Sequence, residues 1–191
     1  MEKIVTYFEK PGRHNTELCL EIVKKELALE SYCHVVVAST TGETGLLFAN
    51  HLKDKPNFNL VIVTHSYGFK EPNAIEMTEE TAGKIKAGGA RIYTGTMVTH
   101  SLETSLAGKF GGLYPTLLIA QSLRRFGEGV KVCCEIIMMA TDAGMIPEGV
   151  KCLAVAGTGR GADTVCAIQS AASKRFLDLK VLELLAKPGG F

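Results

Sequence analysis

The α/β fold this sequence predicts is a three-layer αβα sandwich on a mostly parallel sheet with one antiparallel edge strand. Three observations predict it. Short apolar, β-branched runs alternate with segments of helical spacing along the 191 residues, and such alternation puts helices on both faces of a parallel sheet. Two of the runs, ending at Ala38 and Ala156, pass directly into glycine-rich turns, as strands feeding loops do. The run after the second turn follows too closely for a crossover helix, so it must run antiparallel, and an edge is its expected place.

The elements follow in order. Residues 3–8 form a short β-type run that Pro11-Gly12 breaks. Asn15 or Thr16 can cap a helix reaching about Leu29, with Leu18, Ile22, Val23, Leu27 and Leu29 at helical spacing. A strand over 33–38 enters the first turn, and a helix over 43–52 follows with Leu46, Leu47 and Phe48 inward. Residues 59–64 are a continuous apolar run of the kind a parallel sheet buries on both faces. After a loop over 65–73, Thr78-Glu79-Glu80 opens a helix that Gly88-Gly89 stops. A short strand covers 91–94, and the long connection 95–113 carries a short helix around 102–109. Connections of that length are often binding loops. Pro115 suits a first helical turn, which predicts a helix over 114–126, and a second helix spans 130–144. Strands over 150–156 and 163–169 flank the second turn, a terminal helix covers 177–185, and Pro188-Gly189-Gly190 breaks the pattern. There is no internal repeat or linker, so residues 1–191 read as one domain.

Composition narrows the function. Hydrophobic residues make up 46% and charged residues 21%, with a net charge of +1, ordinary values for a globular protein. No bulk field favours nucleic acid or a membrane surface, and no basic run interleaved with aromatics suggests a nucleic-acid groove. No apolar stretch is as long as a membrane span. The start Met1-Glu2-Lys3-Ile4-Val5 lacks the apolar block of a signal peptide, so a cytoplasmic location is expected. The six cysteines form no CxxC pair and mostly lie in apolar segments, where a thiol behaves as a small buried hydrophobe. The five histidines are scattered without HExxH or helical pairing, so no metal is expected.

The chemistry lies in the turns. Ser39-Thr40-Thr41-Gly42-Glu43-Thr44-Gly45 brings hydroxyls and glycines to a helix start, where backbone N–H groups favour an anion. It lacks the GxxxxGK spacing of a nucleotide-triphosphate loop; its plain alternative is a Ser/Thr-capped strand-to-helix turn. Gly157-Thr158-Gly159-Arg160-Gly161 carries an arginine suited to phosphate or carboxylate, with a tight inter-strand turn as its alternative. If both strands lie parallel in one sheet, both turns share its carboxyl edge, where open α/β sheets bind ligands. His65, Tyr67, Gly68 and Phe69, and Thr94, Gly95 and Thr96, follow two further strands and are expected along the same edge. Tyr67 or Phe69 could stack on a planar ring, and His65 could act as acid or base or be only a polar loop residue. Lys109-Phe110-Gly111-Gly112 reads as a lid or as a turn, and Met138-Met139 as core. Glu103 and Glu135 show no partner, so no catalytic residue is assigned. The apolar helices over 114–126 and 130–144 present more nonpolar surface than one sheet face covers, which suggests a homo-oligomer.

Residues 35–44 resemble the strand and Ser/Thr-Gly loop of the pyruvate kinase C-terminal α/β domain, and Gly159-Arg160-Gly161-Ala162-Asp163-Thr164-Val165 resembles its last glycine turn and antiparallel final strand. At nearly full length the chain is similar to the stand-alone pyruvate kinase α/β-domain-like family. The strings concerned are Thr64-His65, Gly68-Phe69-Lys70-Glu71-Pro72, Lys109-Phe110-Gly111-Gly112, Gly129-Val130-Lys131-Val132-Cys133 and the eight residues from Gly157 to Thr164. The chain holds no counterpart of the kinase's catalytic barrel, so pyruvate kinase activity is not expected. Glu43 stands where the kinase loop usually carries a basic residue, which disfavours a sugar bisphosphate. The resemblance implies binding of a phosphorylated small molecule, flavin mononucleotide (FMN), with its phosphate on the 39–45 turn and no assigned reaction. A flavin-dependent oxidoreductase and a regulatory module sensing a sugar phosphate are the alternatives it leaves.

Overall fold

The structure is a computed structural model, and it describes residues 3–29, 32–53, 55 and 58–190. Seven strands form one sheet in the order β1-β7-β6-β5-β2-β3-β4. They are β1 (Thr6–Phe8), β2 (His34–Ala38), β3 (Asn59–Val63), β4 (Arg91–Tyr93), β5 (Lys151–Ala156), β6 (Thr164–Gln169) and β7 (Lys180–Pro188). Only β6 runs against the rest: it pairs antiparallel with β5 and β7, and every other pairing is parallel. The helices are α1 (Thr16–Ala28), α2 (Glu43–Leu52), α3 (Glu79–Ala87), α4 (Leu102–Phe110), α5 (Pro115–Arg124) and α6 (Glu128–Asp142).

The period-two alternation of the strands divides the core in two. Val35, Val37, Leu60, Ile62, Leu153 and Val155 pack with Val23 of α1, Phe48 of α2 and Ile85 of α3. Val36, Val61, Val63, Cys152, Ala154 and Ile168 point to the other face and pack with Val130, Ile137 and Ala140 of α6. Burial on both sides explains the unbroken apolar runs of the central strands. The sheet is thus helix-covered on both faces.

Several expectations give way. The terminal helix over 177–185 is absent: a 3-10 turn at Ser173–Asp178 leads into strand β7. Leu184 joins the α6-side core while Leu185 joins the opposite one, and consecutive side chains facing opposite ways require a strand. Because β7 pairs with β6, β6 is interior rather than at the edge; the edges are β1 and β4. Neither side chain proposed to cap α1 does so. Asn15 donates to the carbonyls of Lys10 and Gly12, and Thr16 is already the first helical residue. Leu18 and Leu29 are 49% and 63% exposed, not core. Thr78 caps α3 by accepting from Thr81 N–H at 3.2 Å.

α6 is buried along most of its length, so it does not offer the nonpolar surface that suggested oligomerisation. Exposed large apolar side chains gather instead on α4 and just beyond it, at Leu102, Leu106, Phe110 and Leu113. Met138 and Met139 are core. Five cysteines are buried and Cys33 is exposed; burial pushes the thiols of Cys19, Cys134 and Cys152 up to about 12, which makes them unreactive. Among the described residues no helix is long and apolar enough to cross a membrane.

Candidate functional site

β2 and β5 are parallel neighbours, with Val37 opposite Val155. Their carboxyl ends therefore emerge side by side, and the two glycine-rich turns line one cavity of about 400 Å³. From the first turn the lining takes Ser39, Thr40, Thr41, Glu43 and Thr44, and from the second Gly157, Gly159, Arg160 and Gly161. His65 and Phe69, which follow β3, complete the part that was legible in the sequence.

In the first turn, Ser39 Oγ accepts Gly45 N–H at 2.9 Å, and Leu46 N–H makes the first bond of α2 to the Gly42 carbonyl. Among the described residues the N–H groups of Glu43 and Thr44 have no acceptor, nor do the hydroxyls of Thr41 and Thr44 have partners. The start of α2 thus keeps donors facing the cavity, at the positive end of its dipole. The expected roles of Gly42 and Gly45 change. Neither lines the cavity, and Gly45 N–H is already spent. Gly42 sits at φ 94°, and a Cβ at Gly45 would lie 2.7 Å from Ile62 Cγ2. These glycines make the bend and the close helix–sheet approach rather than a direct ligand contact.

The second turn is organised by Asp163, which is fully buried. Its Oδ2 accepts N–H from Gly12 at 2.8 Å and from Thr158 at 3.0 Å, and its Oδ1 accepts the Thr164 hydroxyl. Thr158 N–H is thereby spent, and Thr158 does not line the cavity. Gly161 has φ 72°, and a Cβ there would lie 2.5 Å from Arg13 Cα. The Arg160 guanidinium has no carboxylate partner among the described residues.

His65 is fixed at both ring nitrogens. Nδ1 lies 3.0 Å from Glu76 Oε1 and Nε2 lies 3.3 Å from Thr40 Oγ1, while Phe69 packs against the ring at 4.3 Å between centroids. Tyr67 and Gly68 do not line the cavity: Tyr67 is exposed and donates its hydroxyl to the Asn73 carbonyl, and Gly68 makes the turn at φ 77°. Thr94, Gly95 and Thr96 also lie outside it. They follow β4, an edge strand set apart from β2 by β3, and Thr94 bonds Thr64 instead. Lys109 to Gly112 lie outside as well, Gly111 and Gly112 being the positive-φ link from α4 to α5.

Sequence reasoning missed the α6 wall. Lys131 and Glu135, a buried i,i+4 ion pair, border the cavity with Arg124, Glu128, Val132, Ile136 and Met139. Glu135 Oε1 accepts the Thr99 N–H and hydroxyl at 2.8 and 2.6 Å, and Thr99 Oγ1 lies 3.0 Å from His100 Nδ1. Burial works against the Glu135 carboxylate, but His100, Lys131 and Thr99 outweigh it and hold its carboxyl down to about 2. Burial also pulls the Lys131 ammonium below the usual lysine range, and the attraction of Glu135 offsets this only in part. The available signal was two opposite charges one turn apart in an otherwise apolar helical run.

The cavity thus combines donors at the start of α2, the Arg160 guanidinium, an aromatic pair and an apolar wall that includes Val63 and Met97. Among the described residues no cluster of three or more His, Cys, Asp or Glu could hold a metal ion. No protein-family model matches the chain.

Proposed function

We propose that this chain binds a phosphorylated small molecule, FMN, at the carboxyl edge of its sheet, in the manner of the stand-alone pyruvate kinase α/β-domain-like proteins it resembles. The observation that supports this most is the meeting of the 39–45 and 157–161 turns at one cavity. Thr41, Thr44, the first-turn N–H groups of α2 and Arg160 would hold the phosphate, since each has donors without a partner among the described residues. Glu43 lines the same cavity; its carboxylate would repel a second phosphate, which favours a ligand with a single one. The isoalloxazine ring would lie along Phe69, His65 and the apolar side of α6. A bound flavin supplies redox chemistry, and the protein supplies position and charge. Purification without added ligand, followed by visible absorbance and heat release of flavin, tests the reading. Flavin is expected in the released fraction or to be taken up on addition. A colourless protein that takes up no FMN, while a phosphorylated sugar raises its melting temperature, would move the assignment to the sugar-phosphate sensor.

A further inference from the structure

Phosphate binding leaves the charged pair on α6 without a use. Lys131 and Glu135 are 1% and 3% exposed, yet both border the cavity. A buried ion pair seldom stabilises a fold more than apolar residues of the same volume, so a pair kept at a cavity wall points to a task there. Glu135 is fully engaged: Thr99 donates twice to Oε1, and Lys131 donates to Oε2. Lys131 is not. An ammonium has three donors, and among the described residues Nζ meets two partners, Glu135 Oε2 and, at 3.3 Å, His100 Nδ1. One N–H is left beside the cavity. Phe69 meets the ring of His100 edge-on at 6.3 Å, so the lysine's second partner is itself held in place.

The geometry points to Lys131 as the residue that receives a carbonyl oxygen of the bound ligand, so that the cavity takes compounds carrying both a phosphate and a carbonyl group. This rests on the phosphate-binding reading above but not on the ligand being a flavin, whose ring carbonyls are one instance of the class. Glu135 anchors the ammonium, and Val63, Met97, Ile136 and Met139 add apolar side chains to the lining. In that setting a hydrogen bond to a carbonyl is stronger than in water.

Pyridoxal 5′-phosphate, a phosphorylated aldehyde, is a suitable probe. A buffer base takes a proton from the Lys131 ammonium, the free amine adds to the aldehyde carbon, and loss of water gives an imine. Added borohydride delivers hydride to the C=N bond and fixes the adduct as a secondary amine. With limiting probe and intact wild-type protein, peptide mass spectrometry is expected to find most of the adduct on Lys131. Inorganic phosphate at ten times its own Kd should lower that yield about tenfold by simple competition. Adducts confined to surface lysines, with Lys131 unmodified, would overturn the assignment. An adduct on Lys131 that phosphate does not diminish would overturn the two-group ligand. If phosphate protects Lys131 and FMN does not, the inference stands and the flavin reading alone is lost.

Discussion

Val37 and Val155 face each other across the parallel β2–β5 ladder, and this pairing brings two turns more than a hundred residues apart in sequence to a common cavity. The polar lining that the two turns supply follows from it. Both turns begin two residues beyond the pair, at Ser39 and Gly157, so any shift in the β2–β5 register would separate them.

Arg160 lines the cavity, and its guanidinium has no partner among the described residues. Arg160→Met should weaken FMN binding about tenfold, or ~1.4 kcal/mol, with unfolding by urea unchanged. Quenching of flavin fluorescence on titration gives the affinity, and an affinity equal to that of the wild type would remove the arginine from the phosphate site.

The glycines of the two turns should separate by mechanism. A Cβ at Gly45 would press on Ile62 from 2.7 Å, so Gly45→Ala should cost about 1–3 kcal/mol by overpacking. Gly159, at φ 79° with open space around it, should lose only the left-handed backbone penalty of about 1–2 kcal/mol as Gly159→Ala. Urea unfolding separates them in a double-mutant cycle with Ile62→Ala, which removes the Cγ2 in the way: the cycle should show the cost of the first variant relieved and that of the second unchanged.

Asp163 accepts from Gly12, Thr158 and Thr164 while fully buried. Asp163→Ala would strand these donors at about 1–3 kcal/mol for each one left unsatisfied. The expected result is a large drop in the urea midpoint together with a loosened 157–161 turn, seen as faster amide exchange at Thr158. Slow exchange at Thr158 in the variant would show that another group orders the turn.

Glu135 predicts an acid limb. Its carboxyl ordinarily titrates at 4.5 and in the fold is held to about 2, so the unfolded chain binds the proton first. The carboxylate's contribution is present above pH 4.5 and is lost as pH falls from 4.5 toward 2. It is on the order of 3 kcal/mol by linkage. Glu135→Gln should flatten this part of the stability–pH curve. Lys131→Met alone removes the carboxylate's counter-ion and should cost about 3–5 kcal/mol, and adding Glu135→Gln, whose amide oxygen still accepts from Thr99, should recover most of it. Stability measured by urea at several pH values checks both.

The sequence made the parallel strands, most helices and both turns legible, because apolar periodicity and glycine punctuation are local signals. β7 was misread because Val181, Leu184 and Leu185 satisfy helical spacing as well as a strand's; which faces Leu184 and Leu185 take is settled only by the two cores they enter. The interior position of β6 depended on β7 and was lost with it. At the site, Thr40 and Arg160 were readable as turn residues next to strands. Gly42, Gly45 and Thr158 were not separable from them, because their N–H groups or missing side chains serve Ser39, Ile62, Thr81 and Asp163, partners that only the fold supplies. Lys131 and Glu135 were invisible as a site because α6 looks like a core helix until the cavity beside it is known.

A crystal structure of the protein with FMN tests the central claim most directly. The account predicts the phosphate between the 39–45 and 157–161 turns, within hydrogen-bonding distance of Thr41 or Thr44 and of Arg160. Phosphate density anywhere else on the molecule, with those turns left empty, would contradict it.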